Sequence, residues 1–264
     1  MIIYIIHVDF IIVNSMLYHI FYGIISYKIF IQQENQMQIK ISPSDLCFLF
    51  EESPWGFYCK YKESIPRVPG IFPRIFSLID ELMKKKFTGV NLNEINPNLP
   101  DGIVSHADSW VMSKPIVNPD YPDIEIVLRG KIDSMISHND GTYSVIDFKT
   151  SEINPVYLEK YKVQLSSYAY AILNCDDNRS LSLQNVDKIG LIVFEPDGFA
   201  ADKNDRAGLK GSLKYICFSY NEDEFLSFIK NKIIPLLAGP QPKPSLSDEH
   251  WLYLKRFGFE YSEE

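Results

Sequence analysis

Three styles of hydrophobic and polar patterning follow one another along this chain of 264 residues. From Met1 to Ile31 there is hardly any alternation: Ile, Tyr and Phe dominate, and only Asp9 and Lys28 carry full charges. Phe10 to Tyr27 is uncharged and of a length that can span a bilayer, although Asn14, Ser15 and His19 weaken an anchor. No basic start or small-residue cleavage site marks a signal sequence. The Ile/Tyr/Phe/Asn bias suits AT-rich codons, and Met37 opens the first stretch with ordinary domain syntax. Residues 1–36 are therefore read as an apolar extension, a start codon assigned too early or else an anchor, and 37–264 as the domain.

From Ser42 the pattern turns helical. Ser42-Pro43-Ser44-Asp45 reads as a helix start with Leu46, Leu49 and Phe50 on the apolar side, and Pro54-Trp55-Gly56 breaks it. After an aromatic stretch and a turn carrying Pro66, Pro69 and Pro73, the spacing of Ile75, Ile79, Leu82 and Met83 predicts a helix over Phe72–Phe87. Lys84, Lys85 and Lys86 close its last turn, where cations suit the dipole. Residues 88–123 read as a long irregular excursion with one short strand near Trp110.

The third style has period two. Ile124–Ser137 predicts a strand, His138-Asn139-Asp140-Gly141 a turn, and Thr142–Thr150 a second strand. A helix over Pro155–Leu173, capped by Asn154, leads to a strand over Val186–Phe194. A polar loop over 197–211 precedes a strand over Ser212–Ser219, a helix over Glu222–Leu237, and a tail carrying Trp251, Tyr253 and Phe257. Strand, strand, helix, strand is an α/β order, with the helix as a crossover between parallel strands.

Composition narrows the class. Hydrophobic residues make up 46% and charged residues 23%, which excludes a disordered or collagen-like chain. A net charge of -8 argues against coating nucleic acid by bulk charge. It leaves room for a nucleic-acid enzyme, because an acidic site that binds divalent cations reverses its local sign. The four cysteines, at 47, 59, 175 and 217, lack CxxC spacing and read as reduced thiols of a cytoplasmic protein.

The chemistry concentrates in Arg129-Gly130-Lys131-Ile132-Asp133 and Val145-Ile146-Asp147-Phe148-Lys149-Thr150. Along the second strand Asp147 and Lys149 share one face, with Ile146 and Phe148 on the other. If Asn139-Asp140-Gly141 is a three-residue loop with Gly141 in the left-handed position, His138 pairs with Thr142. Asp133 then falls opposite Asp147, with Cβ atoms about 4.5–5.5 Å apart, close enough to share one cation. A two-residue loop would place Asp133 opposite Phe148 instead. Opposed like charges repel, and Mg²⁺ or Mn²⁺ with its demand for oxygen ligands resolves the conflict. Lys149 would position or deprotonate a water, or neutralise charge on a phosphate. Taken alone, Asp-x-Lys is a common surface ion pair. On the next helix Gln164 and Tyr168, spaced i,i+4, share a face that can reach the carboxylate edge. Arg129, Lys131, Lys160 and Lys162 are the expected local basic contacts.

Gly130-x-x-Asp133, Asp147-x-Lys149-Thr150 and Gln164-x-x-x-Tyr168, in that order, resemble the PD-(D/E)XK nuclease superfamily, in its RecB/AddB-type exonuclease-like branch, over about residues 40 to 257. The resemblance implies a restriction-endonuclease-like α/β core with a central mixed sheet flanked by helices. It implies Mg²⁺ or Mn²⁺ held by Asp133, Asp147 and the Phe148 carbonyl, with Lys149 as the motif lysine and Gln164 and Tyr168 engaging substrate. Many relatives place a histidine ligand on the first core helix; here that place holds Asp80, with His106 as the competing candidate. Several relatives also bracket the domain with four cysteines around an iron–sulfur cluster. Here Ser53 stands at the N-terminal place and Pro242–Tyr253 has no cysteine, so no cluster is expected, and the aromatic tail is the expected brace. The implied function is metal-dependent DNA hydrolysis, as an exonuclease in preference to an endonuclease, in repair, recombination or defence. DNA is the implied partner, with a helicase or repair complex as the assembly, and a membrane only if residues 1–31 are an anchor. The alternative is a nuclease-fold DNA-binding or scaffolding subunit that no longer cuts.

Overall fold

The computed structural model describes residues 37–67, 70, 73–150, 152, 154–176, 178–203, 206–256 and 258. The readings of residues 1–36, of Phe72 as a helix start and of Phe257 as part of the brace fall outside the described residues.

The first element is one the patterning missed. β1 (Met37–Ile41) pairs in parallel with β5 (Ile124–Lys131), burying Ile39 and Ile41 and exposing Gln38 and Lys40 between them. Five residues give too few alternations to stand out beside the apolar run before them. Helix α1 then runs through a π-helical turn, Asp45–Leu49, into Phe50–Glu52. Ser53 caps α2 (Pro54–Lys62) by accepting the Gly56 N–H, with Pro54 at the first position, so the Pro-Trp-Gly break is also a new start.

Asp45 ties these helices together. Its Oδ2 accepts from Ser42 Oγ at 2.8 Å, Lys60 Nζ at 2.5 Å and Tyr61 Oη at 2.5 Å. Burial alone would raise this carboxyl, but the bonds from Lys60, Tyr61 and Ser42 outweigh it and hold the group below its ordinary range. A depressed folded-state pKa gives stability that is present above the unfolded carboxylate range and is lost as pH falls through the folded value. Asp45→Asn is therefore expected to lower stability at pH 7 by about 1–3 kcal/mol. It should also flatten the loss of stability on acidification, as read from urea unfolding at pH 7 and pH 3.

α3 (Arg74–Phe87) starts after Pro73, and its Met83 and Phe87 pack with Ile136, Ile146, Phe148 and Ile192. The stretch read as irregular holds short elements: α4 (Leu92–Ile95), β2 (Ile103–Ser105), β3 (Trp110–Met112) and β4 (Ile116–Val117). β3 and β4 both pair with β5, completing a four-stranded mixed sheet with β1.

The strand expected over Ile124–Ser137 is divided. β5 stops at Lys131, β6 (Ser134–Ser137) resumes, and the two halves belong to different sheets. β6 lies in a five-stranded sheet of order β2-β6-β7-β8-β9, with β7 (Tyr143–Thr150), β8 (Val186–Ala201) and β9 (Ala207–Ser219). β7 and β8 are parallel, joined through α5 (Pro155–Leu173), which Asn154 caps. The chain is thus α/β, with two mixed sheets flanked by helices.

Residues 197–211 correct the reading of a polar loop. β8 and β9 stay paired out to Ala201 and Ala207, forming an arm beyond the sheet. Its residues face solvent on both sides, Phe199 being 73% exposed, so no hydrophobic alternation marks it as strand. α6 follows as Glu222–Phe228, the π-turn Ile229–Ile233 and Ile234–Ala238, and α7 (Glu249–Lys255) is the last element among the described residues. Among the described residues no helix is long and apolar enough to cross a membrane.

Candidate active site

The hairpin register builds the site. His138 N–H donates to Thr142 O at 3.0 Å and Gly141 takes φ +81°, a conformation that favours glycine, so the turn is the three-residue loop. Ser137 then pairs with Tyr143 and Ser134 with Ile146. Two residues further on, Ile132 should pair with Phe148. Instead Ile132 N–H turns away to Ser109 O at 3.0 Å, and the Asp133 carboxylate takes its place, with Oδ2 accepting the Phe148 N–H at 3.2 Å. The Phe148 carbonyl lies on the same strand edge as its N–H and has lost the Ile132 donor. A broken ladder therefore delivers a carboxylate and a carbonyl to one spot.

Asp147 lies one residue before Phe148 on the face toward α5, only 4% exposed. It forms an ion pair with Lys149 through its Oδ2. Burial raises the Asp147 carboxyl, Lys149 opposes the rise and Asp133 adds to it. Lys149 is held protonated: burial opposes this, but Asp147 and then Asp133 outweigh it. Its ammonium also sits 5.2 Å from the Tyr161 ring centroid on α5.

These residues line a cleft of about 1040 Å³ whose walls also carry Phe48, Asp80, Lys84, Lys85, Asp108, Lys131 and Thr150. Asp80 reaches it from α3. Burial, followed by the nearby Asp133, raises its carboxyl against the pull of Lys84. Its Oδ1 is buried without a hydrogen-bond partner. Lys84 Nζ stands 2.7 Å from Asp133 Oδ1, 3.2 Å from Asp80 Oδ2 and 3.4 Å from Asp108 Oδ1.

The donor set suits a hard cation. Asp80, Asp133 and Asp147 supply carboxylate oxygens, Asp80 Oδ1 is buried without a hydrogen bond, and the Phe148 carbonyl faces the same edge. All are oxygens, the preference of Mg²⁺ or Mn²⁺. Among the described residues no three His, Cys, Asp or Glu side chains are already gathered as a cage. The ammonium groups of Lys84 and Lys149 stand among the acids instead.

The other expected residues divide between the surroundings of the acids and places away from them. Gln164 and Tyr168 come to the acids but are each 6% exposed, and neither is on the cleft wall. Tyr168 is pushed up to about 12 by burial and by Asp147. Gly130 makes room for it: a Cβ there would lie 3.0 Å from Tyr168 Cε1 and 2.9 Å from Pro43 Cδ. The helix face that the spacing selects is thus buried against the strands. His106 takes φ +51° in its loop, 6.3 Å from the Tyr143 ring and off the cleft wall. Of the four basic residues, Lys131 alone reaches the cleft, bonded to Asp108 at 3.2 Å. Arg129 stacks on Trp110, while Lys160 and Lys162 pair with Glu52 and Glu224.

Sequence reading missed Lys84, Lys85, Asp108 and Tyr161. Two signals were there: Lys84 is i+4 from Asp80, and Tyr161 is one helical turn before Gln164.

No family model matches the chain, and no curated protein matches it. Among solved structures it is similar to the one described as "Crystal structure of SSO0001", with a TM-score of 0.40 and 13% identity, covering 85% of this chain and 90% of that chain. So distant a likeness carries no argument about chemistry.

Proposed function

We propose that this protein is a Mg²⁺- or Mn²⁺-dependent nuclease that hydrolyses phosphodiester bonds in DNA. The observation that carries the reading is the break at Ile132–Asp133, which sets a carboxylate and a freed carbonyl beside buried Asp147 and Lys149. Asp133, Asp147 and the Phe148 carbonyl would hold the cation, with Asp80 completing the oxygen set from α3. When bound, such a cation supplies Lewis acidity toward a phosphoryl oxygen and lowers the pKa of a water. Lys149, held protonated by Asp147, is suited to stabilise negative charge on a phosphate oxygen and not to accept a proton. Tyr161 backs its ammonium, and Tyr168, buried on α5, lies near enough for the Asp147 charge to raise its hydroxyl. Lys85 and Lys131 on the cleft wall provide backbone contacts to the nucleic acid.

One observation favours the second reading, a nuclease-fold subunit that binds DNA without cutting: Lys84 already neutralises the acids. Incubation with 5′-labelled, 3′-labelled and circular DNA in Mg²⁺, Mn²⁺ or EDTA separates the two. Cleavage that requires metal is expected, with the linear substrates shortened and the circle spared. Retention of DNA without any cleavage in either metal would overturn the nuclease in favour of the binding subunit.

A further inference from the structure

Lys84 has no task in that reading, yet it is the most heavily engaged cation in the cleft. Its ammonium contacts Asp80 on its own helix, Asp108 in the loop before β3, and Asp133 at the break between the sheets. Its side chain is only 15% exposed. A surface ion pair needs one acid; three acids from three separate segments around one ammonium make a cradle for a cation. Asp133 and Asp80 are also the oxygens assigned to the metal. An ammonium and a dication a few ångströms apart in a half-buried site repel strongly, so the two cannot share those oxygens as they stand.

We infer that Lys84 is a built-in counter-cation: it occupies the acidic cradle when no metal is bound and is displaced when Mg²⁺ or Mn²⁺ enters. This rests on the metal-dependent reading above. Two consequences follow. Metal affinity is set below what the oxygens alone would give, because the ion must compete with a tethered charge. Loading also changes the sign of the cleft. Its walls carry the acids Asp80, Glu81, Asp108, Asp133 and Asp147 against the lysines Lys84, Lys85, Lys131 and Lys149, an excess of one negative charge that a dication turns into an excess of one positive. The displaced ammonium, still tethered beside Lys85 and Lys131, then faces an incoming phosphodiester instead of a carboxylate.

The test measures binding, not turnover. Metal-stripped full-length protein is titrated with Mn²⁺, and free ion is followed by electron paramagnetic resonance for wild type, Lys84→Met and Asp147→Asn. Lys84→Met keeps the apolar stem and removes the charge, and it is expected to bind Mn²⁺ about ten-fold tighter or more; Asp147→Asn is expected to lose binding. Equal or weaker binding by Lys84→Met, with wild type still binding and Asp147→Asn not, overturns the counter-cation and leaves the metal site standing. Absence of binding by wild type and Lys84→Met alike at millimolar Mn²⁺ overturns both. A second arm uses wild type alone and so does not depend on the variant folding. Amine acetylation at pH 8, read by mass spectrometry, is expected to rise several-fold at Lys84 on adding Mn²⁺ and to return with EDTA. Unchanged Lys84 labelling at saturating Mn²⁺ overturns the inference.

Discussion

Asp147→Asn is expected to reduce metal-dependent DNA cleavage at least about a thousand-fold, since in the proposed mechanism Asp147 is a metal ligand and such a ligand supplies several kcal/mol of transition-state stabilisation. The fold should survive the change. The amide keeps the shape of a carboxyl whose ionised form burial already disfavours, and Asp133 still faces the Lys149 ammonium that loses its main partner. Lys149→Met should abolish cleavage to a similar extent, but with a different stability signature. It leaves Asp147, 4% exposed, without its counter-charge, so the variant should unfold at lower urea near neutral pH and recover on mild acidification, as the raised carboxyl protonates. Cleavage of labelled duplex, with circular dichroism melts at pH 5.5 and 8, reads both effects. Undiminished cleavage by either variant would sink the assignment of the site.

That asymmetry shows why the pair was visible in the sequence. An acid and a lysine on one strand face, flanked by Ile146 and Phe148 on the other, conflict with burial unless the face borders a site. The Asn-Asp-Gly turn fixed the register, and the hydrogen bond of His138 to Thr142 agrees with that count. What the count could not contain was the departure of Ile132 toward Ser109, because that depends on a loop whose sequence carries no periodic signal. Asp133 therefore lies not simply across from Asp147 but accepts from Phe148. The same limit hid β1, too short for its pattern to show, and the β8–β9 arm, wetted on both faces. It brought Gln164 and Tyr168 to the acids but not their burial: i,i+4 spacing says that two residues share a helix face, not whether that face is open to a ligand or closed by a strand.

The net charge of -8 takes on a local meaning in this arrangement. Several acids are gathered at one cleft and balanced there by lysines, so the bulk figure says little about how the protein meets a polyanion. Lys160 and Lys162 of α5, which looked available, are paired with Glu52 of α1 and Glu224 of α6. The basic groups that remain near the acids, Lys85 and Lys131, are few. Engagement of DNA should thus be weak and strongly salt-dependent in EDTA, and firmer once metal occupies the acids.

The largest stability effect away from the cleft is expected at Ser53. Its hydroxyl donates to Asp248 Oδ2 at 2.5 Å across 195 residues of sequence and accepts the Gly56 N–H at 2.7 Å. Asp248 Oδ1 in turn accepts the Trp251 N–H at 3.0 Å, capping α7. Ser53 and Asp248 are 3% and 5% exposed, and Trp55 meets Trp251 edge-to-face with centroids 5.2 Å apart. The brace expected from aromatic packing alone is thus a buried polar bond with aromatics around it. Ser53→Ala removes a donor from a buried carboxylate and an acceptor from the Gly56 N–H, at a cost of about 2–3 kcal/mol. For a domain of this size that lowers the melting temperature by roughly 5–10 °C. Asp248→Asn should cost less, since its amide oxygen can keep the Trp251 N–H while its NH2 donates to Ser53 Oγ. In the double variant the neutral amide is easier to leave unpaired than the carboxylate, so Ser53→Ala should do less damage on the Asp248→Asn background than on wild type. Melts of the four proteins test this, and a Ser53→Ala variant as stable as wild type would remove the bond from the account. None of these residues is on the cleft wall. Cleavage per folded molecule, measured well below the melting temperature, should therefore stay at the wild-type level, which separates the brace from the chemistry.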